Sequence, residues 1–161
     1  MTPNIYQLLD DLSIPFERIQ HPPVFTAQQA RQLIPPQAAI AAKNLFLRDK
    51  KGKNHVLLSL ADHKTARFAD IETQTGLKSL SLASTQRLNK YLGITPGAVS
   101  LLALINDPHG DVRVVIDSIL WESKRIQLHP LINTETLIMD VVDLERFVKA
   151  TNHAIEFVDV I

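Results

Sequence analysis

Four short polar stretches of the chain carry residue types from which a binding or catalytic site can be built. They are "HPPVFT" (21–26), "KN" (43–44), "GITPGAVS" (93–100) and "HPLINTET" (129–136). The lysine at 43 supplies a positive charge, and the asparagine at 44 offers both a hydrogen-bond donor and an acceptor. Gly97 lets the main chain approach a substrate, and main-chain N–H groups free of a ladder can stabilise an oxyanion. Taken singly, each stretch also fits a turn, a cap or an exposed charge.

The chain lacks the residues on which several common mechanisms depend. It has no cysteine, which excludes disulfides, thiolate metal ligands and a cysteine nucleophile. Its five glycines form neither a P-loop nor a dinucleotide-binding loop, and G-x-S-x-G and H-E-x-x-H are absent. No two of its six histidines are spaced i,i+4, so no helical metal site is predicted. A catalytic site in this chain must work by positioning its substrate.

Composition limits the partners that the protein can have. Lys plus Arg and Asp plus Glu both number 17, so the net charge is zero and any nucleic-acid contact must be local. The N-terminus has no basic leader before a long apolar segment, and no window is apolar for long enough to cross a bilayer. We expect a soluble cytoplasmic protein with no membrane contact. With 45% hydrophobic residues, the chain predicts a single domain spanning residues 1–161.

Helix and strand signals alternate irregularly along the first third of the chain. Thr2 and Pro3 are typical of an N-cap and first helical position, and apolar residues then recur at helical spacing. The stretch "PFERIQH" predicts a half-buried strand that the prolines at 22–23 stop. Thr26 then predicts the N-cap of a helix through "AQQARQL".

The remaining chain predicts a hairpin followed by mixed elements. "KNLFLRD", the turn "KKGKN" and "HVLLSLA" form the hairpin, which puts Lys43 and Asn44 at the start of its first strand. "STQRLNKYLG" predicts a helix ending at Gly93, and "GITPGAVS" then predicts a helix-to-strand turn. Since hairpins outnumber crossovers, we predict an α+β fold with a mixed, largely antiparallel sheet surrounded by helices.

The order of these motifs resembles a known family. "HPPVFTAQQA", "AKNLFLRDKKGK", "SLASTQRLNKYLGITPGAVS", "LINDPHGDVRVVID" and "LHPLINTETLIM" together are similar to the YbaK/prolyl-tRNA-synthetase-associated editing domains. Within that family the likeness is greatest to the free-standing alanyl-tRNA(Pro) deacylases, ProXp-ala, and covers nearly the whole chain. The resemblance implies a trans-editing hydrolase that acts on the ester of alanine mistakenly joined to tRNA(Pro), without a cofactor or a metal.

The resemblance also implies roles for individual residues. Lys43 would hold the terminal phosphate or adenosine of the tRNA, and Asn44 would bind the α-amino group or carbonyl of the substrate. Main-chain N–H groups around Gly97 would orient the ester, and His129 would hydrogen-bond a ribose hydroxyl or the attacking water. The matching blocks further place substrate-binding residues at His21, Thr26, Thr95, Pro96 and Ser100. The implied partners are the acceptor end of mischarged tRNA and prolyl-tRNA synthetase.

Two departures from the family pattern leave alternatives open. Ser100 is followed by Leu101 and Leu102 where many relatives have a proline, so the pocket that measures the amino acid could be reshaped. A deacylase for cysteinyl or seryl groups is therefore one alternative, and a module that binds a tRNA 3′ end or a synthetase without turnover is another. The polar stretch "DHKTARFADIETQTG" after the hairpin has no assigned role.

Overall fold

The fold is built on one mixed β-sheet. A computed structural model describes residues 4–24, 29, 33 and 39–160. Its sheet has eight strands. They are β1 (Glu17–Gln20), β2 (Ile40–Arg48), β3 (His55–Ala61), β4 (Ser81–Leu82), β5 (Val112–Asp117), β6 (Arg125–Leu128), β7 (Glu135–Asp140) and β8 (Ile155–Val158).

Both ends of five α-helices and two 3₁₀ helices lie within the described residues. Local capping explains where several of them begin or end. They are α1 (Ile5–Asp11), α2 (Phe68–Thr75), α3 (Thr85–Leu92), α4 (Ser118–Glu122), α5 (Val141–Ala150) and the 3₁₀ helices Pro96–Ala98 and Leu101–Asn106. The Ser84 hydroxyl caps α3 by accepting from the N–H of Arg87. Gly93 ends the same helix in the left-handed region, with φ 64°.

Strand order shows why the sheet is mixed. The order is β1-β7-β6-β2-β3-β5-β8, with β4 also paired to β2. Strand β2 pairs antiparallel with β3 and β4, whereas it pairs parallel with β6. The parallel pairs β3-β5 and β5-β8 continue the sheet to its far edge. The predicted α+β class with a mixed sheet is confirmed, while the extent of the domain over residues 1–161 stays a prediction.

Apolar side chains cover both faces of the sheet. One face, which we call the major face, carries the larger core cluster, including Phe46, Leu57 and Leu137. The opposite, minor face carries a smaller cluster, including Leu47, Leu58 and Val115. Because successive strand residues point to opposite faces, this division assigns every β2 side chain to one face or the other.

Three predicted boundaries differ from the structure. Helix α1 is capped by Asn4, whose Oδ1 accepts from the N–H groups of Tyr6 and Gln7, so the predicted N-cap at Thr2 with Pro3 following is wrong. Strand β2 begins at Ile40, three residues before Lys43, so Lys43 and Asn44 lie inside the strand rather than at its start. The run 101–106, expected to follow a helix-to-strand turn as a strand, is 3₁₀-helical.

The third difference has a clear physical reason. Leu101 to Leu104 are all fully buried, and a run that is buried on every side has no polar periodicity to separate helix from strand. The Ser100 hydroxyl accepts from the N–H of Leu102 at 3.1 Å and starts the helical turn. The predicted helix after Thr26 lies mostly outside the described residues. Within its range only Gln29 and Leu33 are described, and both are helical.

Across the parts of the chain that are described, no helix combines the length and apolar character that a bilayer crossing requires.

Candidate functional site

Strand β2 has one edge that is paired at both ends and open in its middle. Its first residues pair with β6, as Ile40 with Ile126 and Ala41 with Gln127, and its last residues pair with β4. Between these two ladders, residues 42–45 have no strand partner on this edge among the described residues. We call this stretch the open edge. Strands that diverge in this way leave a crevice that a ligand can enter.

Lys43 and His129 stand at the same level of the open edge. Each lies two residues beyond the last pair of the parallel β2-β6 ladder, which joins Ala41 to Gln127. Side chains two residues apart along a strand point to the same face, so Lys43 shares a face with Ala41, and His129 shares one with Gln127. If the ladder is continued, both side chains lie on the minor face of the sheet. The register thus assigns two of the four predicted catalytic residues to the same face of the sheet, beside the end of the β2-β6 ladder.

The Lys43 side chain is half-buried, and its position is fixed by one contact. Its ammonium donates a hydrogen bond to the main-chain carbonyl of Lys64, in the turn that follows β3. An ammonium has three N–H donors, so two remain for other groups. The hydrogen bond to Lys64 therefore holds the Lys43 ammonium in place and leaves it able to donate to a ligand.

Asn44 faces the other side of the sheet. It lies opposite Ser59 on β3, and the buried Ser59 hydroxyl donates to Asn44 Oδ1. With Oδ1 accepting this bond, the amide Nδ2 keeps its two N–H donors for other partners. The sequence predicts Lys43 and Asn44 at the start of the strand as neighbouring site residues. Their side chains point to opposite faces of the sheet, because adjacent residues of a strand cannot share a face.

The main chain of Asn44 nonetheless points into the same gap. The carbonyl of Phe46 accepts from the N–H of Ala83 on the β4 side of the strand. Main-chain groups of residues two apart along a strand point to the same edge, so the N–H and C=O of Asn44 also face the open edge. Asn44 therefore contributes main-chain groups to the gap and a side chain to the major face.

His129 is oriented by the main chain and is half-buried. Its Nδ1 lies 3.2 Å from the carbonyl oxygen of Glu135, which makes Nδ1 the donor and leaves Nε2 as an acceptor. Burial, assisted by the nearby His21, lowers the pKa of His129 below its ordinary value. The imidazole is thus kept neutral at physiological pH, in the form that can accept a proton or a hydrogen bond.

His21 joins His129 across the sheet. The two rings are nearly perpendicular, with centroids 6.5 Å apart. His21 Nε2 lies 2.9 Å from the Thr136 hydroxyl, and its Nδ1 lies 2.8 Å from the carbonyl oxygen of Pro22. The predicted substrate-binding residue His21 therefore lies beside a predicted catalytic one, whereas Thr26 lies outside the described residues.

The "GITPGAVS" stretch lies apart from the histidines. Thr95 precedes the 3₁₀ helix Pro96–Ala98, and its carbonyl accepts from the N–H of Ala98 at 3.0 Å. Gly97 is the middle residue of that helix and is not among the glycines with positive φ, so it is not needed for a left-handed turn. Buried Ser100 uses its hydroxyl as a cap, and its role as a substrate contact stays a prediction.

This segment shares the major face with Asn44 rather than with Lys43. Its neighbours Ile94 and Leu101 belong to the core cluster that covers the major face. The candidate residues thus divide between the two faces of the sheet, with Lys43, His129 and His21 on the minor face and Asn44 with residues 95–100 on the major face. A substrate lying in the gap would be bounded by both groups.

Sequence reasoning missed a polar cluster that holds the start of β7. Glu135, only 7% exposed, receives hydrogen bonds from the Arg18 guanidinium and the Tyr6 hydroxyl. The Arg18 bond holds the pKa of the Glu135 carboxyl below its usual value, and burial with the same carboxylate raises the pKa of Tyr6 to about 12. Because the Glu135 carbonyl orients His129, this cluster supports the site indirectly.

Positive charge is concentrated in two segments of the chain that contact each other. Residues 48–55 and 73–106 together contain seven of the 17 basic residues and one of the 17 acidic ones, a net charge of +6 against −6 elsewhere. The two segments touch, since Arg87 Nη1 lies 3.0 Å from His55 Nε2 and 3.4 Å from the carbonyl of Gly52. We call the following residues the basic surface: Arg48, Lys50, Lys51, Lys53, Arg87 and Lys90.

The acidic residue within this region is turned inward to hold the hairpin. Asp49 accepts from the N–H groups of Lys53 and Asn54 and from the Asn54 amide, and that amide bond chiefly lowers the pKa of Asp49. Gly52, with φ 68°, sits so close to Arg87 that an added Cβ would lie 2.8 Å from its guanidinium. The hairpin turn is thereby shaped to present its lysines outward.

Comparison with known proteins places this arrangement in a family. The model of the aminoacyl-tRNA editing domain matches residues 21–147, which include β2 to β7 and the candidate residues on both faces of the sheet. This chain is an aminoacyl-tRNA editing domain. The resemblance inferred from the sequence motifs is confirmed.

Curated relatives match the editing domain over nearly its whole length. The prolyl-tRNA editing protein ProX of Acetoanaerobium sticklandii is 34% identical over 151 residues, covering 94% of this chain and 92% of the relative. Prolyl-tRNA synthetase associated domain-containing protein 1 of Mus musculus is also 34% identical, covering 91% of this chain and 89% of the relative. Both likenesses extend well beyond the site itself.

Solved structures share the fold of the editing domain at low identity. The hypothetical protein APE2540 superposes with a TM-score of 0.77 at 18% identity, covering 98% of this chain and 99% of the other. A candidate trans-editing enzyme for prolyl tRNA synthetase gives 0.71 at 14% identity, covering 99% and 98%. At these identities the likeness supports the sheet topology and the helix arrangement alone.

Proposed function

We propose that this editing domain is a trans-acting deacylase that hydrolyses the ester of alanine misattached to tRNA(Pro). The observation that carries the proposal is the open edge, where Lys43 and the neutral His129 share a level of one face and Asn44 presents its main chain. Similarity to the ProX editing protein of Acetoanaerobium sticklandii supports the choice of prolyl-tRNA as the corrected species.

The chemistry needs no covalent intermediate. An aminoacyl ester is already activated, so holding water near its carbonyl and stabilising the developing oxyanion is sufficient. The hydroxyls of the buried Ser59 and Ser100 are engaged, one donating to Asn44 and the other accepting from the N–H of Leu102. Neither serine is arranged beside a general base as a nucleophile would be.

The residues on the two faces of the sheet have different roles in this mechanism. The free N–H donors of the Lys43 ammonium bind the terminal phosphate or adenosine of the tRNA. His129 uses Nε2 to accept a hydrogen bond from a ribose hydroxyl or from the attacking water. The Asn44 amide and main chain bind the α-amino group and carbonyl, and N–H groups near Gly97 orient the ester.

An editing site for alanine is needed because a binding pocket discriminates poorly against a smaller apolar amino acid. A synthetase pocket shaped for proline loses only about 1–3 kcal/mol of contact energy when a smaller apolar amino acid enters it. A second site that admits alanine and excludes the larger proline corrects the error. Leu101 and Leu102 are fully buried in the core, so they do not themselves face the substrate.

A panel of mischarged tRNAs tests the proposed function. The protein is expected to release alanine from Ala-tRNA(Pro) faster than cysteine or serine from their misacylated tRNA(Pro) counterparts, and to leave Pro-tRNA(Pro) intact. Release of radiolabelled amino acid over time measures each rate, with buffer alone as the baseline. Faster release of cysteine or serine would reassign the substrate, and binding without release of any amino acid would make the protein a non-catalytic tRNA-binding module.

The tRNA itself is held, on this proposal, by the basic surface. This surface lies at the end of β2, about 17 Å from Lys43 at roughly 3.3 Å per residue. A substrate whose 3′ end occupies the open edge would bring the phosphates of its double-stranded stem toward the lysines. A local patch of this kind suits a chain whose net charge is zero.

Neutralising the hairpin lysines should weaken tRNA binding without changing the chemical step. For the triple variant Lys50→Ala, Lys51→Ala, Lys53→Ala we expect KM to rise about tenfold at low salt, with kcat unchanged, because only phosphate contacts are lost. The slope of log KM against log salt should fall by about 2. Deacylation kinetics at several salt concentrations measure both quantities.

A control for this variant is available at a lysine outside the two basic segments. Lys149 is exposed at the end of α5, outside the basic segments, and Lys149→Ala should leave KM and its salt dependence unchanged. Equal effects of the two variants would show that the basic surface has no special part in binding.

A further inference from the structure

Lys64 lies in the polar stretch after the hairpin, to which no role attaches from the sequence. It follows β3, and its N–H donates to the carbonyl of Ala61 at 3.0 Å. Its own carbonyl receives the Lys43 ammonium. The main chain of Lys64 is therefore the acceptor that determines where the Lys43 charge stands.

The side chain of Lys64 fastens that acceptor to the interior. Its ammonium lies 2.7 Å from Asp117 Oδ2 and 2.9 Å from the carbonyl oxygen of Val160. Asp117 is fully buried, at the end of β5. The contacts thus tie the turn after β3 to the end of one strand and to the chain that follows β8.

The other oxygen of the carboxylate is also occupied. Asp117 Oδ1 accepts from the N–H groups of Ile119 and Val160, each at 3.4 Å. A buried ion pair offsets its desolvation cost only when such additional hydrogen bonds satisfy its remaining atoms, and removing one partner alone is strongly destabilising. An exposed pair would not hold a turn in one position, since two long side chains in water retain their freedom.

We propose that Lys64 and Asp117 are positioning residues that set the location of the Lys43 ammonium at the open edge. The inference rests on the proposed function, in which Lys43 binds the substrate. Its physical basis is that a charged group acts on a substrate only when its place is fixed to within a fraction of an ångström. Lys64 supplies the fixed acceptor, and Asp117 fixes Lys64.

The double variant Lys64→Met with Asp117→Asn tests the proposal without leaving an unpaired buried charge. We expect kcat/KM for deacylation to fall about tenfold, because Lys43 keeps its charge but loses its fixed position. In a Lys43→Ala background the same double substitution should have no further effect. This non-additivity distinguishes loss of positioning from general damage to the fold.

The ion pair Arg113 to Glu156 provides the matched control. It joins β5 to β8, with Arg113 Nε 2.9 Å from Glu156 Oε2, and so lies on the same strand as Asp117 without contacting Lys64 or the Lys43 ammonium. Arg113→Met with Glu156→Gln should leave kcat/KM unchanged. Single-turnover kinetics with enzyme in excess measure all variants, and thermal unfolding confirms that each is folded.

Two results would overturn the inference. One is an unchanged kcat/KM in the folded Lys64→Met, Asp117→Asn variant while the wild type hydrolyses its substrate. The other is an equal proportional loss in the presence and absence of Lys43. Failure of the proposed function has a different signature, since the wild-type protein would then release no amino acid from any mischarged tRNA.

Discussion

Replacing Lys43 with alanine is expected to lower kcat/KM for deacylation about 100-fold or more, the largest activity change predicted for any single substitution in this editing domain. The lysine is the cation that the structure places at the open edge at the level of His129. On the proposed function, its removal would leave the terminal phosphate or adenosine unbound and the ester free to leave the gap. Initial rates of alanine release from Ala-tRNA(Pro) measure the loss.

Lys43→Met is the sharper form of this experiment. Methionine keeps most of the aliphatic stem that packs beside β3, so the fold and the strand edge should be preserved. A similarly large loss in Lys43→Met assigns the effect to the ammonium rather than to packing. Activity within about twofold of wild type in this folded variant would remove Lys43 from the proposed mechanism.

The elements that the sequence predicted well are those specified by local signals. The hairpin of β2 and β3 follows from two apolar runs around a charged turn with a glycine, and the structure has both strands. Helix α3 follows from its serine cap and from Gly93. These signals act within a few residues, so no knowledge of distant contacts is required.

Predictions failed where a fully buried run showed no polar periodicity, and where another residue capped the helix in place of the predicted one. The run Leu101 to Leu104 is buried on all sides, so its apolar pattern fits a strand as well as the 3₁₀ helix that forms. At the N-terminus, the Asn4 side chain captures two N–H groups of α1 and fixes the start of the helix there. A plausible capping signal earlier in the chain was therefore misleading.

The sequence supplies candidate residues for the site, whose roles stay predictions, but it does not supply their arrangement. Strand alternation alone would have separated Lys43 from Asn44, since adjacent residues in a strand face opposite ways. The meeting of His21 with His129 depends on β7 lying between β1 and β6, a long-range order that no local pattern specifies. Ser59 and Lys64 support the site through contacts across the fold and carry no sequence motif of their own.

The largest loss of stability is expected from a substitution far from the open edge, at Asp107. This carboxylate, 5% exposed, accepts from the N–H of Val112 at 2.8 Å and from that of Asp111 at 3.2 Å. It also lies 2.7 Å from Nε2 of His153, whose Nδ1 lies 3.0 Å from the Thr151 hydroxyl. The network ties the turn before β5 to the end of α5.

Asp107→Ala is therefore expected to reduce the free energy of unfolding by about 3 to 5 kcal/mol, because it leaves the buried His153 and the N–H of Val112 without their acceptor. For a chain of this size the melting temperature should fall by about 10 °C. Deacylation per folded molecule should stay unchanged, since the open edge is built from other strands. Urea titration followed by circular dichroism, with activity assayed at low temperature, measures both quantities.

Two companion variants make the interpretation specific to the network. Asp111→Ala removes an exposed carboxylate from the same turn and should cost less than about 0.5 kcal/mol, because its main-chain N–H still reaches Asp107. Asp107→Asn keeps one side-chain oxygen as an acceptor and should fall between the two. A loss below about 1 kcal/mol for Asp107→Ala would mean that water replaces the carboxylate, and that the turn is held by its apolar neighbours instead.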